Sequence, residues 1–253
     1  MARIVCVASG KGGVGKTTLC SNLAAALARF GRSVIAVDCN LTTSNLGLHL
    51  GVPLYPVTLQ DVLKKDVNVE DAIYYHSGGF RVVPADMSLM KSHSSTADKL
   101  LDVFYSLAHN GGADLILIDS SAGLGRETKT AIEASDEMIT ITNPELPALV
   151  DALKLGKIAE GLHTRNLGMV LNRVRHEPHE IKKEEAEEFL GLPLIGIVNE
   201  DRNVSKSISS KEPVVMHKPN SIAARQFNGV AAKLIGERYD ARPSVLHRLF
   251  NWL

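Results

Sequence analysis

The first thirty residues restrict what this chain can fold into more than any other stretch. Ile4-Val5-Cys6-Val7-Ala8 is a short apolar run with the character of a buried strand. It leads into Gly10-Lys11-Gly12-Gly13-Val14-Gly15-Lys16-Thr17, which satisfies G-x-x-x-x-G-K-[ST], and then into a helix-like segment over 16–30. Strand, glycine loop and helix in that order form a cradle for phosphate. Gly12, Gly13 and Gly15 let the backbone, with that of Val14, wrap with its N–H groups inward, and the helix adds the positive end of its dipole. Lys16 is expected to reach the β- and γ-phosphates and Thr17 to ligate Mg²⁺.

The rest of the chain repeats the alternation. Strands are expected near 3–8, 33–38, 80–84, 114–118, 137–142, 168–172 and 193–198. Helices are expected near 16–30, 97–109, 126–134, 145–164, 179–189 and 220–239. Val34-Ile35-Ala36-Val37 and Leu115-Ile116-Leu117-Ile118 are continuous apolar runs, as needed by strands covered on both faces. The pattern predicts an α/β fold: one doubly wound, mostly parallel sheet over residues 1–240, then a linker and an amphipathic helix over 241–253. Asp61-Val62-Leu63-Lys64-Lys65 reads as a surface helix.

Composition narrows the setting. Hydrophobic residues at 45% and charged residues at 22% exclude wholesale disorder and a polytopic membrane protein. Lys plus Arg and Asp plus Glu both number 28, so no global basic field points to a nucleic-acid partner. The three cysteines, Cys6, Cys20 and Cys39, form no C-x-x-C, which argues against a disulfide framework, a zinc ribbon or a cluster within one chain. With no signal-peptide pattern at the start, a reducing cytosol is expected.

Two acidic residues stand at strand ends. Asp119 follows Leu115–Ile118, where a carboxylate can hold Mg²⁺ through water, and Asp38 ends the second apolar run. The plainer alternative for each is a turn or helix cap, the weaker reading of the two.

Lys11-Gly12-Gly13-Val14-Gly15-Lys16-Thr17-Thr18 resembles the deviant Walker A loop of the MinD/ParA superfamily of ATPases. The resemblance implies ATP and Mg²⁺ as cofactors and an ATP-bound homodimer in which Lys11 contacts the partner's phosphates. A lysine suits that task as a long, flexible point charge. Asp119-Ser120-Ser121-Ala122-Gly123 resembles the family's switch II, in which the Gly123 N–H can meet the γ-phosphate. Asp38-Cys39-Asn40 resembles switch I, with Asp38 and Asp119 beside Thr17 at the metal. The family has a second aspartate where Asn40 stands. An amide is uncharged and a poor base, so slow hydrolysis is expected. Thr142-Asn143-Pro144-Glu145 followed by Asp151 resembles a stretch whose aspartate pairs with the first loop lysine when no partner phosphate is present. Asn172 and Arg173, with Asn199, Glu200 and Asp201, resemble the base-reading segments.

Ser244–Leu253 completes the reading. At about 100° per residue, Val245, Leu246, Leu249, Phe250, Trp252 and Leu253 fall within an arc of about 160°, with Ser244, His247, Arg248 and Asn251 on the opposite side. Apolar Leu, Phe and Trp beside a basic edge suit an interfacial helix. The run also resembles the membrane-targeting tail of the MinD branch. The resemblance therefore implies a cytoplasmic ATPase, peripheral on the inner face of the membrane, that binds anionic lipid as the ATP dimer, leaves on hydrolysis, and serves spatial regulation with activator or cargo proteins. A DNA- or cargo-partitioning ATPase and an ATP-binding scaffold with little hydrolysis are the alternatives.

Overall fold

The computed structural model describes residues 1–51, 55–64, 67–86 and 97–239. Residues 241–253, including the expected tail helix, lie outside them.

The first half runs β1 (Arg3–Ala8), α1 (Lys16–Arg29), β2 (Val34–Cys39), α2 (Leu46–His49), α3 (Leu59–Leu63), a 3₁₀ turn (Val69–Ala72), β3 (Tyr74–Tyr75), β4 (Arg81–Val83) and α4 (Ala97–Asn110). The second half runs β5 (Leu115–Ser120), α5 (Arg126–Glu133), β6 (Glu137–Thr142), α6 (Leu146–Gly161), β7 (Arg165–Val174), α7 (Lys183–Leu190), β8 (Leu194–Asn199), α8 (Arg202–Ser209), α9 (Val214–His217) and α10 (Ile222–Leu234). The eight strands form one sheet in the order β3-β4-β2-β5-β1-β6-β7-β8. All neighbours are parallel except the two-residue edge pair β3–β4.

The apolar runs β2 and β5 are buried along their whole length, because helices cover both faces. On one face α1 and α10 bring Leu19, Leu23, Leu27, Phe227 and Val230 onto the sheet. Both helices are alanine-rich, so their backbones lie close to each other and to the strands. On the other face α4, α5 and α6 bury Leu100, Phe104, Leu107, Ile132 and Leu155. A smaller cluster under α7 holds Leu149, Met169 and Leu190.

The outer edge β8 is blunted by side chains. Leu194 N–H donates to Glu187 Oε1 at 2.8 Å, the Lys233 ammonium donates to Leu194 O at 2.7 Å, and Asn199 N–H donates to Gln226 Oε1 at 2.8 Å. Such capping leaves less of the edge free to recruit another strand.

The pattern placed the long elements within a few residues. It missed β3 and the short helices α2, α8 and α9, whose apolar residues are too few to show a period. The expected surface helix near 61–65 is α3, and it is not a surface element: Leu59, Val62 and Leu63 are buried. Its start is fixed by a capping box between Thr58 and Asp61. The helix expected from 179 begins only at Lys183, because the Glu180 carboxylate accepts N–H bonds from Arg175 and His176 and closes a loop ahead of it.

Strand order reverses direction on either side of β1. In open α/β sheets the crevice beyond the carboxyl ends at such a point takes the ligand. The glycine loop leaves β1 there.

Candidate active site

Backbone geometry explains the glycines. Gly13 has φ +77° and Gly15 has φ +104°, both left-handed. Gly15 is the N-cap of α1, and a Cβ there would lie 2.3 Å from Asn172 Nδ2. At Gly10 a Cβ would lie 2.3 Å from the carbonyl oxygen of Asp151. The loop is therefore clamped between α6 on one side and β7 on the other. Asn172 also donates to Val14 O at 2.7 Å, tying the β7 end to the loop.

The two loop lysines face different surroundings. Lys16 is 8% exposed, and its ammonium reaches Ser9 Oγ at 3.1 Å. Burial lowers its pKa and the Asp119 carboxylate opposes that shift. The Lys11 side chain is 41% exposed and its ammonium lies 3.0 Å from Glu145 Oε2. The expected partner Asp151 instead pairs with Lys154 at 3.0 Å. The reason is local: the Asp151 backbone packs on Gly10, and its carboxylate follows the helix face to Lys154.

The two strand-end carboxylates differ as well. Asp38 and Asp119 are register partners on adjacent strands, and both are buried. Asp38 is engaged by its own loop. It accepts from Asn40 N–H at 3.0 Å, Ser44 Oγ at 2.7 Å and Leu46 N–H at 3.0 Å. Burial raises its pKa and these bonds oppose the rise. Both oxygens of Asp119 lack a hydrogen-bond partner. Burial first, and Asp38 second, push its pKa up to about 7, with Thr17 and Lys16 pulling the other way. An unpartnered buried carboxylate is costly unless something binds it.

Asn40 does not face the loop in this structure. Its Oδ1 accepts from Thr43 N–H at 3.1 Å and Thr43 Oγ1 at 3.0 Å, and its amide donates to Thr43 O at 2.6 Å. The turn after β2 is thus bonded within itself. In switch II, Gly123 has φ +87° and its N–H donates to Ser9 O at 3.2 Å.

The expected base-reading residues gather at one narrow cavity of about 60 Å³ beside Gly15 and Thr18, lined by Asn172, Arg173, Asn199, Glu200 and Asp201. Their bonding separates them. Asp201 is the N-cap of α8, accepting from Asn203 N–H at 2.8 Å, and it also accepts from Ala223 N–H at 3.2 Å at the start of α10. Its carboxylate therefore fixes two helices. Asn199 exchanges bonds with Gln226. Arg173 has φ +57° and Glu200 is exposed. Two larger clefts, of about 520 and 550 Å³, lie beside α4 and α7 and include no loop residue.

Sequence reasoning missed Glu145 as the partner of Lys11, and it missed Glu127 altogether. Glu127 accepts from Ser121 Oγ at 2.6 Å and from Thr42 Oγ1 at 3.3 Å. An acidic residue in the first turn of α5 reads only as a complement to the helix dipole, so no signal marked it.

Together the fold and loop define a P-loop nucleotide-binding protein with a second lysine in its phosphate loop. The family model described as the CobQ/CobB/MinD/ParA nucleotide-binding domain matches residues 5–214. An uncharacterised ATP-binding protein of Methanocaldococcus jannaschii is 40% identical over 96% of this chain and 91% of its own. The Pyrococcus furiosus cell-division ATPase MinD superposes with a TM-score of 0.88 at 38% identity, covering 93% of this chain and 99% of that one. The Pyrococcus horikoshii septum site-determining protein MinD, solved with Mg-ADP, gives 0.87 at 37% identity, covering 92% and 96%. The chain belongs to the MinD/ParA family of nucleotide-binding ATPases, as a MinD-like, deviant Walker A member.

ATP and Mg²⁺ are its cofactors, and the residues present fit them. The glycine loop leaves no room for side chains where it meets α6 and β7, and Asp119 offers a buried carboxylate with no hydrogen-bond partner on either oxygen. Among the described residues no cluster of three or more His, Cys, Asp or Glu could cage a metal. Mg²⁺ needs no cage, since one or two carboxylates, a hydroxyl, waters and the phosphates themselves suffice.

Proposed function

We propose that this chain is an ATP-dependent dimerising switch that holds to a membrane surface as the ATP dimer and leaves it on hydrolysis. The observation that carries the reading is the division of labour between the lysines. Lys16 is buried inside its own loop, while Lys11 points outward and rests on the exposed Glu145. An exposed ion pair contributes little, about 0–1 kcal/mol, so Lys11 is readily released to a stronger anion. A partner's triphosphate is such an anion.

In this reading Gly12 to Thr18 cradle the phosphates, and Thr17 and Asp119 would hold Mg²⁺. Asp38 organises switch I, and Gly123 reports the γ-phosphate. Asn172, Arg173, Asn199 and Glu200 surround the base, with Asp201 fixing the helices behind it. The charge neutralisation that the transferred phosphoryl group needs would be supplied by Mg²⁺ held there. Turnover is slow, because Asn40 supplies neither charge nor base and is spent on Thr43.

Among the described residues no helix is long and apolar enough to cross a membrane. Attachment falls to Val245–Leu253. A helix of about ten residues is marginal alone in water. Two in one dimer gain about 10²–10⁴-fold through effective concentration. Nucleotide thus sets how many tails meet the lipid, and release follows from loss of the γ-phosphate contacts. Positioning of a process such as division, with activator or cargo partners, is the role this switch suits.

The test uses Trp252, the sole tryptophan. Its emission shifts blue with anionic vesicles in Mg-ATP and not in Mg-ADP, and Lys11→Ala behaves in ATP as the wild type does in ADP. An equal shift in both nucleotides contradicts the proposal. The bonding of Asn40 also favours a second reading, an ATP-binding scaffold that scarcely hydrolyses. Single-turnover hydrolysis in the presence of vesicles separates the two.

A further inference from the structure

The switches are joined by a side chain that has no part in phosphate binding. Glu127 sits in the first turn of α5, just past the N-cap Gly125. Its Oε2 lies 2.6 Å from Ser121 Oγ in switch II, and its Oε1 lies 3.3 Å from Thr42 Oγ1 in switch I. The neighbouring Thr128 Oγ1 donates to Ser121 O at 3.1 Å. Switch II from Ser121 onward and the first turn of α5 are therefore pinned together as one piece.

That piece is parked. Gly123 N–H, the group expected to sense the γ-phosphate, donates to Ser9 O at 3.2 Å. A Cβ at Gly123 would meet nothing within 4 Å, so the loop has room to swing. Turning this N–H toward a γ-phosphate breaks the bond to Ser9 and displaces 121–127 as a unit. Ser121 Oγ also lies 3.1 Å from Cys39 O, but its one hydroxyl proton cannot serve Cys39 and Glu127 fully at once. Glu127 to Thr42 is then the contact through which the displacement reaches the turn around Asn40.

We infer that Glu127 is a positioning residue that transmits the γ-phosphate signal from switch II to switch I. The inference rests on the ATP-switch reading above. A residue serving only as a complement to the α5 dipole would leave the two loops independent. A coupling residue makes the state of one loop depend on the other, and that dependence is measurable as backbone protection.

The experiment is hydrogen exchange of the full chain in Mg-ATPγS and in Mg-ADP, following peptides over 40–46 and over 120–125. In the wild type both regions differ between the nucleotides, by at least about fivefold in exchange rate. In Glu127→Ala, and independently in Thr42→Val, the 120–125 difference persists while the 40–46 difference falls below about twofold. Thr42→Val leaves the Glu127–Ser121 contact intact, so it decides the matter even where Glu127→Ala folds poorly. Glu127→Gln keeps an acceptor and restores part of the 40–46 response. If switch I responds fully in both variants, the coupling role of Glu127 is overturned while the ATP-switch reading stands. If 120–125 is indifferent to the γ-phosphate in the wild type, that reading falls and this inference with it.

Discussion

Replacing Asp119 by asparagine should stabilise the nucleotide-free protein and disable the nucleotide-bound one. The Asp119 pKa is pushed from 3.8 to about 7, chiefly by burial. At about 1.4 kcal/mol per unit, ionising it in the fold costs about 4 kcal/mol relative to the unfolded chain. Asparagine removes the charge but leaves a buried amide in the same unpartnered place, at about 1–3 kcal/mol. The net gain at pH 8 is then about 1–3 kcal/mol, or about 2–12 °C in Tm for a chain of this size. The sign follows from proton binding. The native state keeps a proton that the unfolded state has lost, so this group makes wild-type stability fall as pH rises from about 4 to about 7. Asp119→Asn lacks that decline, and its advantage shrinks at pH 5. Added Mg-ATP reverses the order, because the Mg²⁺-dependent part of ligand stabilisation is lost in the variant. Thermal melts at pH 5 and 8, with and without Mg-ATP, check all of this. A variant less stable than wild type at pH 8 without nucleotide would refute the claim that the buried Asp119 carboxylate is held at a cost in stability.

Three further outcomes follow from the geometry. Gly15→Ala places a methyl 2.3 Å from Asn172 Nδ2 at φ +104°, so it should cost about 1–3 kcal/mol of stability and abolish ATP binding, read by melts and calorimetric titration. Asn40→Asp restores a charged acceptor and forfeits the amide donor to Thr43 O, so single-turnover hydrolysis should rise at least about tenfold, and an unchanged rate would show that residue 40 does not limit the chemistry. Glu145→Ala frees Lys11, so light scattering should find the ATP dimer at equal or lower protein concentration, whereas a weakened dimer would mean that Glu145 supports the interface.

Much of the fold was legible because a parallel sheet writes itself as short apolar runs between helices. β2 and β5 are buried throughout and could be read directly. α8 could not: Arg-Asn-Val-Ser-Lys-Ser-Ile-Ser has too few apolar residues to show a face. Its one local signal, Asp201 as an N-cap, was read instead as a base contact. The phosphate loop was legible for a similar reason to the strands, since its chemistry is carried by consecutive backbone. Partner choices were not. Whether Lys11 meets Glu145 or Asp151 depends on how α6 sits against Gly10, and that Glu127 spans both switches depends on where β2 and β5 deliver their loops. Both are tertiary facts with no sequence period. The bonding of Asn40 to Thr43 was within reach, since an Asn just past a strand end commonly closes such a turn.

The most direct test of nucleotide-controlled attachment is co-sedimentation with anionic vesicles of the full chain and of a version ending at residue 240, each in Mg-ATP and Mg-ADP. The full chain should pellet in Mg-ATP and stay in the supernatant in Mg-ADP, and the shortened chain should stay in the supernatant in both. Pelleting of the shortened chain in Mg-ATP, or equal pelleting of the full chain in the two nucleotides, would contradict the account.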